Sequence, residues 1–91
     1  MGNVGCDEAV SWIERDDFIG EDARLSYAQW VWGYWSGLNV AALNRGEQSR
    51  DLSIFQSGSD VAYAIATECN NRLEDRVFQS ADAVYERLKL K

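Results

Sequence analysis

Apolar residues recur along this chain at helical spacing, and one stretch dominates the pattern. Between Tyr27 and Leu43, the residues Tyr27, Trp30, Val31, Tyr34, Trp35, Leu38 and Ala42 project into an arc of roughly 140°, the width of a core-facing helix stripe. The pattern predicts a central helix capped by Ser26, running to Leu43 and stopped by Asn44-Arg45-Gly46. Upstream, Cys6, Val10 and Ile13 share a face with Ala9 and Trp12 nearby, which predicts a short helix over 6–13 with Asn3 as its N-cap. Asp7 and Glu8 suit the positive end of that helix. The charged stretch Glu14–Arg24 reads as a loop anchored only by Phe18 and Ile19.

Downstream, Arg45–Ser59 turns polar and reads as a long loop held by Leu52, Ile54 and Phe55. A third helix is predicted from Ser59 or Asp60 to Cys69, with Val61, Ile65 and Cys69 on one face and Asn70-Asn71 as its stop. A last helix is predicted from about Asp75 to Leu88 on the repeat of Val77, Ala81, Val84 and Leu88. Nothing alternates as a strand would. The expectation is an all-α single domain over 1–91, with about four helices packed around the central aromatic one.

Two details of the central stretch bear on function. Gly33 and Gly37 each cost a helix about 1 kcal/mol relative to alanine, which predicts a neighbouring backbone passing close to them. Trp32 projects outside the apolar arc and is the candidate contact for a dimer or client surface, with Tyr34 and Trp35 beside it as further candidates. Trp12, Trp30 and Trp35 otherwise read as packing residues.

At 91 residues the core is modest, so bracing would help. Cys6 and Cys69 are the available brace, although two buried thiols would also fit. A bridge between them would add about 4 kcal/mol in the chain-entropy account and would favour an oxidising compartment. Fifteen acidic against nine basic residues give a net charge of −6 with no basic patch, which argues against nucleic acid. The apolar run is interrupted by Gln29, Ser36 and Asn39 and is too short to span a bilayer, so a soluble chain is expected. Met1-Gly2-Asn3 lacks the features of a signal peptide, so an exported form would have lost its leader.

Without histidine, the chain lacks the commonest general base and metal ligand, and no enzyme activity, metal or cofactor is expected. Asp16-Asp17 and Glu21-Asp22 read as solvated surface, since the alternating ligands of a calcium loop are missing. Ser36 has neither a histidine nor a strand-turn-helix elbow, and no Cys-x-x-Cys pair occurs.

An early cysteine in Gly5-Cys6-Asp7-Glu8 precedes the run Val31-Trp32-Gly33-Tyr34-Trp35-Ser36-Gly37-Leu38-Asn39, and a loop ending in Asp51-Leu52-Ser53 follows. A late cysteine in Ala64-Ile65-Ala66-Thr67-Glu68-Cys69-Asn70 and a charged helix ending in lysines complete the layout. In this order the chain resembles the small periplasmic acid-stress chaperones HdeA and HdeB, and the Tyr27–Asn39 run is similar to hypothetical exported bacterial proteins grouped with them. The resemblance implies an all-helical domain, a Cys6–Cys69 disulfide, a periplasmic location, and a dimer that opens in acid to offer apolar surface to unfolded clients. The alternative expectation is a periplasmic binding or immunity protein whose acidic surface complements one basic protein partner. A small dimeric exported protein without a client is the third.

Overall fold

The computed structural model describes residues 1–91 and contains four helices: α1 (Cys6–Ile13), α2 (Phe18–Asn44), α3 (Gly58–Asn70) and α4 (Val77–Glu86). No strand forms. Isolated bridges pair Gly5 with Arg76 and Arg50 with Leu90, so both chain ends are tied to the loops they pass. The 27 residues of α2 make a rod of about 40 Å at 1.5 Å per residue. That rod sets the longest dimension of the molecule, 42 Å.

The predicted stripe is the buried one. Tyr27, Val31, Trp35 and Ala42 are buried, while Trp30, Tyr34 and Leu38 pack half-buried at its margins. Trp35 is fully buried, donates from its indole Nε1 to the carbonyl of Ala81 at 2.9 Å, and stacks on Phe55 with centroids 5.0 Å apart. A buried indole N–H left unpaired would cost about 1–3 kcal/mol, so this bond fixes where α4 lies across α2. From α1, Cys6, Ala9 and Ile13 face the same core, and α3 adds Val61, Ala62, Ile65, Ala66 and Cys69. Val77, Ala81 and Val84 of α4 close it.

Cys6 and Cys69 form a disulfide that joins α1 to α3 across 63 positions of sequence. Both are fully buried, and the Ser80 hydroxyl lies 3.1 Å and 3.3 Å from the two sulfurs, so its proton is shared with an acceptor in an otherwise apolar core. A second polar tie fastens the long loop. Asn39 donates from its amide to the carbonyl of Arg50 and accepts from the Arg50 N–H, at 3.0 and 2.7 Å, while the Tyr85 hydroxyl donates to the same Asn39 oxygen.

Helix boundaries depart from expectation at four places. Asn3 does not cap α1; Gly5 holds that position without a side-chain bond. The stretch 14–24 is only partly loop, because α2 begins at Phe18. Asp17 is its cap, accepting from the Gly20 N–H at 2.9 Å, and Ser26 is an exposed interior residue. The charged side chains of this stretch project outward from a helix whose buried face is carried by the smaller residues Gly20 and Ala23. Arg24, two turns into α2, reaches back to donate to the carbonyls of Ile13 and Arg15 at 2.9 and 3.0 Å, satisfying the end of α1. Third, α3 starts one residue early, at Gly58, with the Ser57 hydroxyl accepting from Asp60 N–H. Fourth, α4 spans only Val77–Glu86, although Leu88 beyond it is still buried.

Two outcomes test this packing. A Cβ on Gly20 would sit 2.2 Å from the Arg15 carbonyl oxygen, so Gly20→Ala should destabilise by about 2 kcal/mol in denaturant unfolding, the middle of the range for overpacked sites. Reduction of the disulfide should lower stability by about 4 kcal/mol, read as a drop in the denaturation midpoint on adding reductant.

Candidate functional site

From Leu25 to Asn44, α2 carries no Asp, Glu, Lys or Arg; Arg24 and Arg45 are the flanking charges. Half of this uncharged helix faces the core. The other half faces outward, with Leu25 56%, Trp32 41%, Val40 58% and Leu43 60% exposed. Gln29, Gly33 and Gly37 lie between them on the same face. This exposed face is free of charge in a chain with 24 charged residues among 91 (nine basic and fifteen acidic), and its apolar side chains are separated by Ser26, Gln29, Gly33 and Gly37.

Beside the N-terminal half of this face runs an open groove of about 490 Å³. One wall is α2, through Leu25, Gln29, Trp32 and Gly33. The opposite wall is the chain entering α3, from Phe55 to Gly58, and the floor is Ala28 and Val61. Local sequence chemistry holds both walls. Phe55 is anchored by its stack on Trp35, and the Gln56 N–H donates to the Asp60 carboxylate at 3.0 Å. Gly58 has only hydrogen on its Cα, and a Cβ there would meet the Ala28 methyl at 3.4 Å, so two small residues let α3 start close against α2. The groove is therefore preformed by packed and hydrogen-bonded groups, as binding sites commonly are.

The three aromatic candidates divide. Trp32 lines the groove and is exposed, as its projection predicts. Trp35 is core and its indole proton is already used. Tyr34 is half-buried, stacks on Trp30 with centroids 5.1 Å apart, and donates to Asp82 at 2.6 Å. Burial, reinforced by that carboxylate, pushes its hydroxyl up to about 12, so it stays a neutral donor that ties α2 to α4. Trp12, expected in the core, is instead 37% exposed beneath the Arg15 guanidinium.

The close helix approach expected at Gly33 and Gly37 does not occur within the fold. A Cβ on either would meet nothing within 4 Å, because both point away from α1, α3 and α4. Ile54, expected to help hold the long loop down, is instead 63% exposed, and residue identity did not reveal Leu25 and Val40 of α2 as surface. The readable signal was the missing charge, which periodicity alone does not weigh.

No group of three or more His, Cys, Asp or Glu side chains is placed to hold a metal ion, and no helix is long and apolar enough to cross a membrane. Since Gly33 and Gly37 have open space around them, alanine at either should raise the stability of the folded monomer by up to about 1 kcal/mol, measured by denaturant unfolding at high dilution. Compared with known proteins, the chain matches no protein-family model, no curated protein and no solved structure.

Proposed function

We propose that this chain is an exported, non-enzymatic protein-binding domain that takes apolar segments of other polypeptides on the uncharged face of α2 and in the groove beside it. The observation that carries the reading is the run Leu25–Asn44, uncharged on both its buried and its exposed sides. Core packing explains the first side only. A disulfide between two fully buried cysteines is consistent with an oxidising compartment, and the periplasm is the compartment we assign.

Within this reading, an acid-stress chaperone of the HdeA kind is the form that the charge balance supports. Near neutrality the chain carries −6; with all fifteen carboxylates protonated, its nine Lys and Arg leave it strongly positive. Self-repulsion then favours an open state. The carboxylates with local partners add to this. A hydrogen bond from Arg87, at 2.6 Å, holds Glu68 below the usual carboxylate range. Arg15 does the same for Asp17, with help from the Gly20 N–H. A carboxylate whose folded pKa is depressed contributes stability that is present above its unfolded value, near 4, and is lost as the pH falls through the folded value. Acid therefore releases Arg87, beyond the end of α4, from α3, and weakens the cap of α2, while the disulfide continues to hold α1 to α3. The alternative form, an immunity or inhibitor protein with one specific partner, would use the same face at neutral pH.

Aggregation of a denatured test protein is the direct measurement. Suppression should appear below about pH 4 and fall several-fold in Trp32→Arg, a substitution at an exposed position that keeps its charge at every pH used. Absence of suppression down to about pH 2, with every carboxylate protonated, would sink the chaperone form. Stoichiometric binding of one protein at neutral pH, lost in Trp32→Arg, would establish the alternative. The acid sensitivity has its own check: Glu68→Gln should remove about 1 kcal/mol or less of neutral-pH stability, as expected for a pair with the exposed Arg87, and flatten the fall in stability below pH 4.

A further inference from the structure

We propose that a second cavity, at the C-terminal end of α2, binds a single carboxylate carried on an apolar or aromatic body, with the Arg50 guanidinium as its anchor. The cavity measures about 410 Å³, within the range of about 300–1,000 Å³ that holds small ligands. Leu38 and Ala42 of α2, Tyr85 of α4 and Leu90 form its apolar lining, and Arg45, Glu47 and Arg50 bring charge to it. It shares no residue with the groove that runs from Leu25 to Val61, so the inference does not rest on the protein-binding reading of that face.

Arg50 is held as an anchor would be. Four other arginines are spent on carboxylates: Arg15 on Asp17, Arg45 on Glu47, Arg72 on Asp75 and Arg87 on Glu68. Arg50 pairs with none, yet its side chain is fixed. Its Nη1 donates to the carbonyls of Glu86 and Leu88 at 3.2 and 2.8 Å, and its guanidinium lies 5.7 Å from the centroid of the Tyr85 ring. Its backbone is bound on both sides by Asn39, and its bridge to Leu90 sets that residue into the cavity wall. Nε and Nη2 make no hydrogen bond within the chain, which leaves unused the edge whose two N–H groups take both oxygens of a carboxylate. Because the long side chain is already ordered, a ligand does not bear the cost of ordering it. Arg24 also lacks a carboxylate, but its cavity is shared with Glu21 and has Leu25 as its one apolar residue.

The charges around the cavity set the class of ligand. The chain as a whole carries −6, yet here Arg45, Arg50, Lys89 and Lys91 stand against Glu47, Asp51 and Glu86. Each of those carboxylates is turned to other use or to water. Glu47 is paired with Arg45. Hydrogen bonds from Ser53 hold the Asp51 carboxyl below its ordinary range, with Lys91 and Lys89 adding to the effect. Glu86 is exposed and offers Arg50 its carbonyl. One negative charge therefore finds the Arg50 edge free, while a second would meet Glu47 on the same rim, which disfavours a phosphate dianion. The lining of Leu38, Ala42, Tyr85 and Leu90 is covered from water by hydrocarbon and not by a second polar group. Such an anion is either a free apolar acid or the C-terminal carboxylate of a polypeptide that ends in an apolar residue.

Titration of the intact chain with hydrocinnamate at neutral pH, followed by heteronuclear NMR, tests the site. Saturable shifts should appear at the amides of Leu38, Arg50 and Leu90, with a Kd of about 1 mM or below. Hydrocinnamamide, the same body without the charge, should bind at least tenfold more weakly. Arg50→Gln should cost at least tenfold, Arg50→Lys, which keeps the charge and loses the fork, several-fold, and Trp32→Arg nothing. Circular dichroism checks that the Arg50 variants fold, and the comparison of acid with amide on the intact chain decides the question if they do not. A dipeptide ending in phenylalanine separates the two sources: binding tighter than that of hydrocinnamate, and lost on amidation of its C-terminus, assigns the site to polypeptide ends, whereas weaker binding assigns it to a small acid. Overturning results are no saturable shift up to about 10 mM, equal binding of acid and amide, binding indifferent to folded Arg50 variants, or shifts confined to the groove beside Trp32.

Discussion

One helix is much longer than the elements available to cover it. The 27 residues of α2 form a rod of about 40 Å, whereas α1, α3 and α4 have 8, 13 and 10 residues and reach about 12, 20 and 15 Å. Three short helices can wall one side of such a rod and no more. The buried stripe Tyr27–Val31–Trp35–Ala42, the open face opposite it and the groove at their boundary all follow from that mismatch. Because α1 and α3 each touch only part of α2, they are joined to one another by the Cys6–Cys69 bridge, which holds the wall together where apolar area alone is small.

Polar groups in the interior act as locators. The Trp35 indole reaches only the Ala81 carbonyl, the Tyr34 hydroxyl only Asp82, and Asn39 pairs with Arg50 as one peptide group would with another. Apolar packing tolerates sliding of one helix along another. These bonds do not, since a one-residue slip would leave a buried donor without an acceptor at a cost of about 1–3 kcal/mol. The loop 45–57 is held at Asn39 and at Phe55, which is why a long segment with little regular structure can still serve as a groove wall.

What the sequence made legible was what depends on periodicity. The core stripe of α2 and the inward faces of α3 and α4, with both cysteines on inward faces, could be read from apolar spacing, which by itself did not separate a disulfide from two buried thiols. The start of α2 could not, because Phe18–Arg24 is rich in charge and the features that make it helical are tertiary: the Asp17 cap, Gly20 beneath the Arg15 carbonyl, and Arg24 reaching back to α1. The glycines were misread for a related reason. A glycine in a helix signals that something needs room, but the sequence does not say on which side, and Gly33 and Gly37 face away from their own fold.

That outward direction gives the glycines their interest. A helix interior selects against glycine by about 1 kcal/mol per position, and this helix carries two one turn apart with no intramolecular use for either. Before and after them on the same face lie Leu25, Trp32, Val40 and Leu43 at 41 to 60% exposure with no charge to keep water close. Each feature alone is a small cost that a surface could absorb. Their coincidence on one face of one helix has a common physical solution, a second polypeptide backbone close against the notch, covered by the side chains that flank it. The same contact would bury the apolar groups and recover the stability the glycines forgo, so the face that looks least favourable in the isolated chain is the one with most to gain from a partner.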